Sequence, residues 1–426
     1  MNSGAIDQAD LVRALQDQER LNVPLGECLI ASGAVSSAQL CAALAAQYNL
    51  QHIDLAVDPP KAAMAQHLDA LDCLKYGIVP WRSLGDTIMV AVSTPDQFDH
   101  VALQIARAGV SLLPVVADKK QISESITALY GAELAQRAAI RVPPIESCRT
   151  WRADAKSRRA WSMGILALMA IVLVLEPAWG FTIILLWALC SSVMIVSLRT
   201  VALFTHVFLR KVPPSPPPQQ EPEHPFQPHV SVLVPLFREK EIAGALIARL
   251  AKLTYPKSLL QIVLVLEEGD DMTRDTIART KLPAWFDVIE VPQANSLRTK
   301  PRAMNYALDF CKGSIIGVWD AEDAPEVDQI DRVIRHFANA PKNVVCVQGM
   351  LDYYNARTNW ISRCFTIEYA AWWRVVLPGI ARLGFIVPLG GTTLFFRRTA
   401  LEELRGWDAH NVTEDADLGV RLARHG

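Results

Sequence analysis

Ser314-Ile315-Ile316-Gly317-Val318-Trp319-Asp320-Ala321-Glu322-Asp323 is an apolar run that breaks into carboxylates. A short β-rich run of this kind reads as a strand buried on both faces, as in parallel sheets. Its acidic end then lies at the carboxyl end of the strand, where open α/β sheets bind ligands. Side chains alternate along a strand, so Asp320 and Glu322 are expected to point the same way. Two carboxylates placed there make a hard oxygen site for Mg2+ or Mn2+, of the kind that holds a diphosphate. A second acidic cluster, Thr413-Glu414-Asp415, offers a carboxylate that could take a proton.

The rest of the chain bounds the reading. A length of 426 residues predicts more than one domain. A formal charge of -2 leaves no excess of Lys and Arg to neutralise a polymer's phosphates, so no nucleic-acid partner is expected. Mean hydropathy is positive, which points toward a membrane. Eight cysteines (28, 41, 73, 148, 190, 311, 346 and 364) include no C-x-x-C pair, which fits reduced thiols and a cytosolic setting.

From Ala160 to Leu198 the only charged residue is Glu176, and Glu176-Pro177 divides the stretch into 16 and 21 apolar residues. The second part is long enough to cross a bilayer as a helix. The first is short and would need Trp161, its basic neighbours and local thinning to complete the crossing. Arg152, Lys156, Arg158 and Arg159 precede the pair, and Arg199, Arg210 and Lys211 follow it. Basic residues on both flanks predict a transmembrane hairpin (residues 160–209) in the cytoplasmic membrane, with both soluble parts in the cytosol. Beyond it, residues 212–228 carry eight prolines and read as a stiff spacer.

Residues 1–140 read as a small α+β module. Gly4-Ala5-Ile6, Leu11, Leu15 and Gln18 recur 29 positions later as Gly33-Ala34-Val35, Leu40, Leu44 and Gln47, a turn leading into an amphipathic helix in each copy. Gly77-Ile78-Val79-Pro80, Thr87 to Val92 and Leu112 to Val116 are strand candidates. Leu25-Gly26, Leu29, Gly33, Leu40, Leu44 and Gln47, with Ser93-Thr94-Pro95-Asp96, resemble the N-terminal domain of type II secretion ATPases. Members of that family can bind cyclic di-GMP through paired motifs that begin Arg-Leu-Gly. Pro24 stands where that arginine would be, so weak or absent cyclic di-GMP binding is expected. No G-x-x-x-x-G-K-[ST] motif occurs, so no P-loop is expected either.

Residues 229–426 carry a second set of motifs. Strand Val230 to Val234 ends at Pro235-Leu236-Phe237-Arg238-Glu239, and strand Gln261 to Leu266 ends in Glu267-Glu268-Gly269-Asp270-Asp271. Thr299-Lys300-Pro301-Arg302-Ala303-Met304-Asn305 enters a helix running to about Cys311. Then come Asp320-Ala321-Glu322, Val387-Pro388-Leu389-Gly390-Gly391-Thr392, Gly406-Trp407-Asp408 and Thr413-Glu414-Asp415-Ala416-Asp417-Leu418. Together they resemble a membrane-bound family 2 glycosyltransferase of the polysaccharide-synthase kind. The resemblance implies an α/β nucleotide-diphospho-sugar transferase domain of glycosyltransferase A type.

It also implies roles. Pro235, Glu239, Glu267, Lys300, Arg302 and Asp320 would bind the donor, with Glu267 replacing the family's usual aspartate beside the nucleoside. Asp320 and Glu322 would hold Mg2+ or Mn2+. Gly390, Gly391, Thr392 and Glu414 would line the acceptor site, and Asp415 would act as general base, with inversion at the anomeric centre. The alternative for Thr413 and its acidic followers is a helix N-cap. The resemblance implies a nucleotide-diphosphate sugar donor, a polysaccharide acceptor and a lipid bilayer as partners. Family members continue past this motif with further segments, so the chain is expected to be a piece of a longer protein. Three readings stay open: a membrane glycosyltransferase with the N-terminal module as regulator or dock, a nonenzymatic membrane adaptor with a degenerate transferase domain, and a secretion-system component.

Overall fold

The computed structural model describes residues 6–105, 111–152, 155–208, 227–239, 242–293, 297–353 and 355–426. Most of the proline-rich spacer, residues 212–226, lies outside them. The chain forms two compact units, one of residues 1–141, 224–347 and 394–409, the other of residues 142–223, 348–393 and 410–426.

In the first unit the N-terminal module opens with helices Gln8–Leu21, Leu25–Ala31 and Ser37–Tyr48. Asp7 caps the first of these, and Ser36 with Gln39 forms a capping box on the third. The copies of the 29-residue repeat thus fall on corresponding helices, although Leu15 is left exposed. Strands β1 (Ile78–Leu84), β2 (Thr87–Val92) and β3 (Ser111–Val116) follow, β1 antiparallel and β3 parallel to β2. A long helix, Lys119–Ile140, ends the module.

The larger sheet has the order β6-β5-β4-β7-β9-β8. Its strands are β4 (Val230–Leu236), β5 (Leu260–Glu267), β6 (Phe286–Val291), β7 (Ile315–Val318), β8 (Cys346–Gln348) and β9 (Leu394–Arg397). β4, β5, β6 and β7 run parallel, and β9 is antiparallel to β7. β4, β5 and β7 are buried almost throughout, as parallel strands covered on both faces must be. The chain builds outward from β4 through β5 to β6, then returns to place β7 on the other side of β4. That reversal opens a crevice at the carboxyl ends of β4 and β7, the topological switch point of the sheet. The first two helices contribute Ala14, Leu21, Cys28 and Leu29 to the same apolar core as β4 and β5.

In the second unit, helices Ala155–Leu175 and Pro177–Phe208 are long and apolar enough to cross a membrane, and their apolar side chains are largely exposed. The first helix has 21 residues rather than the 16 of the apolar stretch, because it begins among the basic residues before Ala160. The helices meet closely: a Cβ on Gly180 would lie 2.8 Å from Leu173 Cδ1. Helix Leu377–Arg382 packs on the second of them, and a Cβ on Gly379 would collide with the Ala202 backbone.

Candidate active site

The donor residues expected from the sequence gather at the crevice of the first unit. β7 ends at Val318, so Asp320 and Glu322 sit in a turn beyond the strand, and strand alternation does not set their directions. The turn is shaped by other groups. The Asp320 N–H donates to Asp323 Oδ2 at 3.0 Å, and Arg249 Nη1 donates to the Glu322 and Asp323 carbonyls at 2.9 and 3.0 Å. Lys300, at the first position of helix Lys300–Leu308, brings its ammonium 2.5 Å from Asp320 Oδ1. Thr299 caps that helix.

Arg302 departs from its expected place. Its guanidinium is fully buried and donates to the Leu297 and Pro292 carbonyls and, at 3.4 Å, to Glu267 Oε2. A cation held by backbone carbonyls two residues into a helix braces the loop behind it. The other oxygen of Glu267, Oε1, is buried with no hydrogen-bond partner among the described residues. A buried carboxylate oxygen without a donor is costly, and its natural complement is a ligand N–H or O–H. Burial pushes the Glu267 carboxyl above its ordinary range, opposed by Arg302 and Arg298.

Pro235 lies near the end of β4, half-buried. Glu239 follows in a loop tied down by Asp270, which accepts from the Arg238 N–H at 2.7 Å, and by Thr273, whose hydroxyl accepts from the Glu239 N–H at 2.9 Å. Burial and then the charges of Glu322 and Asp270 raise the Glu239 carboxyl. Negative charge therefore accumulates around Asp320 and Glu322, and this hard oxygen set suits Mg2+ or Mn2+. Among the described residues no group of three or more His, Cys, Asp or Glu side chains could hold a metal, so substrate oxygens and water would complete its shell.

The residues expected at the acceptor site, and Asp415, belong to the second unit. A Cβ built on Gly391 would lie 3.5 Å from Asp415 Oδ2, so the loop passes close beside the carboxylate. Gly390 lies against the Trp373 ring, 2.8 Å from where its own Cβ would be. Gln348, which sequence reasoning missed, organises this loop: its amide donates to the Thr392 carbonyl at 3.0 Å, and its Oε1 accepts from the Gly390 N–H at 2.9 Å. Only the folded loop shows the role. Gln348→Ala should therefore cut turnover at least tenfold without altering donor affinity, because it frees the loop and not the crevice. Steady-state kinetics beside nucleotide titration will check this.

Helix Glu414–His425 starts after Thr413, whose side chain makes no capping bond and donates to Asn411 Oδ1 at 3.0 Å instead. The simple N-cap alternative thus lacks its hydrogen bond. Asp417 is paired with buried Arg421 at 2.8 Å, and Glu414 is buried. Asp415 is half-buried and, of the three, is the one beside Gly391, with Oδ1 accepting from the Ala416 N–H at 2.8 Å.

Residues 228–426 match the family described as Glycosyltransferase like family 2, and residues 48–136 match the MshEN domain. The chain joins a family 2 glycosyltransferase-like domain to an MshEN domain. The glycosyltransferase-like domain has an α/β fold built on the six-stranded sheet. Probable glycosyltransferase YdaM of Bacillus subtilis is 27% identical over 198 residues, 46% of this chain and 46% of that protein. Beta-monoglucosyldiacylglycerol synthase of Trichormus variabilis is 29% identical over 254 residues, 59% of this chain and 52% of that protein. The mannosyltransferase PcManGT of Pyrobaculum calidifontis, solved with GDP-Man and Mn2+, is 19% identical, with 56% of this chain and 63% of that chain covered at a TM-score of 0.42. The chain spans about half the length of the curated relatives it matches.

Proposed function

We propose that the chain is the donor-binding and catalytic part of a membrane glycosyltransferase, which moves a sugar from a nucleotide-diphosphate sugar to a growing bacterial polysaccharide with inversion. The observation that carries this reading is the crevice at the switch point, where Glu267 Oε1, without a partner among the described residues, lies at the end of β5 and the Lys300–Asp320 pair lies past the end of β7, on either side of β4. Glu267 takes the N–H or O–H groups of the nucleoside. Lys300 meets the diphosphate, whose negative charge grows as the anomeric bond breaks. Asp320 with Glu322 would hold Mg2+ or Mn2+, which supplies further neutralisation of that leaving group. Asp415 takes the proton of the acceptor hydroxyl as its oxygen attacks the face opposite the leaving group.

Sugar incorporation from UDP- and GDP-linked donors by the purified membrane protein, with and without Mn2+, tests the reading. No turnover and no nucleotide binding with any donor would favour the nonenzymatic adaptor. A second check follows from Glu267. If its carboxylate accepts from the nucleoside, donor affinity is full above its raised pKa and falls as pH drops through it, starting above the ordinary carboxylate range. Glu267→Gln should flatten that pH step, as read by calorimetric titration between acid and neutral pH.

The two apolar helices support a hairpin that crosses the cytoplasmic membrane, with both soluble parts in the cytosol. Reporter fusions after Ala139 and after Pro228 should both read as cytoplasmic, and an external signal from either would end this topology. For the MshEN domain we propose weak or absent binding of cyclic di-GMP, because Pro24 supplies no guanidinium. Submicromolar affinity in a titration of the whole chain would overturn that reading.

A further inference from the structure

The long helix of the N-terminal module, Lys119–Ile140, lies directly against the donor helix Lys300–Leu308, and its last turn is bonded to it. Arg141 Nη1 donates to the Asn305 carbonyl at 3.1 Å and to Asp309 Oδ1 at 2.7 Å, the pair largely buried. Asn305 is fully buried, and its side-chain amide donates to the Ala138 carbonyl at 3.2 Å and the Trp407 carbonyl at 2.7 Å, while its Oδ1 accepts from the Trp407 N–H at 2.9 Å. One amide thus ties three segments of the first unit together.

Two glycines mark the closeness of this packing. Gly131, in the middle of the long helix, is a poor helix former, yet a Cβ there would lie 3.0 Å from Pro292 Cγ and 3.5 Å from Tyr306 Oη. Gly406 takes a φ of +71°, and a Cβ there would sit 2.3 Å from Asn305 Oδ1. Pro292 matters further, because its carbonyl is one of the two that hold buried Arg302, and Arg302 braces Glu267.

We propose that the N-terminal module is a structural part of the donor site: residues 138–141 hold the donor helix in place through Asn305 and Asp309, and so fix the positions of Lys300 and Glu267. Arg141 and Asn305 are positioning residues that touch no substrate. The inference rests on the donor reading above. Its physical basis is that Lys300 can meet a diphosphate only if its helix start is held, and the module supplies bonds to the far end of the same two-turn helix. By linkage, whatever steadies one helix steadies the other, so a nucleotide on the donor site must be felt in the module.

The test is hydrogen–deuterium exchange on the whole chain in detergent, with UDP or GDP and Mn2+ as probes. In the wild type, nucleotide is expected to slow exchange both in residues 300–308 and in residues 131–141. Arg141→Ala should speed exchange in 300–308 and raise the donor KM about tenfold with kcat within about twofold, as loss of one charge-assisted bond allows. Arg141→Lys, which keeps the charge toward Asp309, should recover most of the loss. Arg82→Ala, removing a surface pair with Asp58 in the same module, should change neither quantity. If Arg141→Ala does not fold, Asp309→Asn weakens the clamp from its other side and should give the same pattern. Nucleotide protection of 300–308 without protection of 131–141, or wild-type exchange and KM in the variant that folds, overturns the inference while the donor reading stands. Protection of neither segment overturns both.

Discussion

Asp415→Asn is expected to lower sugar transfer by about 10²–10⁴-fold, the usual share of a positioned general base, with nucleotide-sugar affinity within about twofold of wild type. The amide keeps the shape of the carboxylate but cannot accept the acceptor's proton. The choice of Asp415 rests on its surroundings. Asp417 is committed to Arg421, Glu414 is buried, and the carboxylate of Asp415 stands beside Gly391. The same position predicts that Gly391→Val, which fills the space before Oδ2, should reproduce the Asn phenotype without touching a titratable group. The measurement is incorporation of labelled sugar into product beside direct titration of the donor. Near wild-type incorporation by Asp415→Asn would remove the assignment.

Lys300→Met should act in the opposite sense, weakening donor binding by about 10–100-fold, the worth of a hydrogen bond between charged groups. Its ammonium pairs with Asp320, and the start of its helix is held by the Thr299 cap. Asp320→Asn removes charge from the oxygen site and loosens Lys300 at once. It should therefore weaken donor binding comparably and also abolish the gain in affinity that Mg2+ or Mn2+ gives the wild type. Titrations of both variants with and without metal separate the two roles. Arg302→Met should behave differently again: it leaves buried carbonyls without a donor, so its loss should appear in thermal stability as well as in affinity.

The parts of the site that could be read in advance are those in which local chemistry repeats the demand of the fold. An apolar run ending in Asp320 had to be a buried strand with its carboxylate at the rim, and β7 is that strand. Pro177 had to begin a helix, and it does. Misreadings came where a side chain's partner lies far away in sequence. Nothing in Lys300-Pro301-Arg302 distinguishes the cation that faces the crevice from the one turned inward. That is decided by the carbonyls of Leu297 and Pro292 and by Glu267, which the packed loop delivers. Glu322 followed the same pattern, because the turn after β7 is shaped by Arg249, some seventy residues earlier.

The sequence by itself determined the parallel strands, the apolar helical pair and the acidic, basic and glycine positions, because each is a matter of periodicity or of chemistry carried by neighbouring residues. Tertiary structure alone decided which of those residues are free to work. It buried Arg302 as a brace, left Glu267 Oε1 without a donor among the described residues, tied Gln348 to the Gly390–Thr392 loop and bonded the N-terminal module to helix Lys300–Leu308 through Arg141 and Asn305. The physical reason is that burial and hydrogen-bond pairing are properties of surfaces brought together, and most of the pairs concerned are separated by tens to well over a hundred residues of chain.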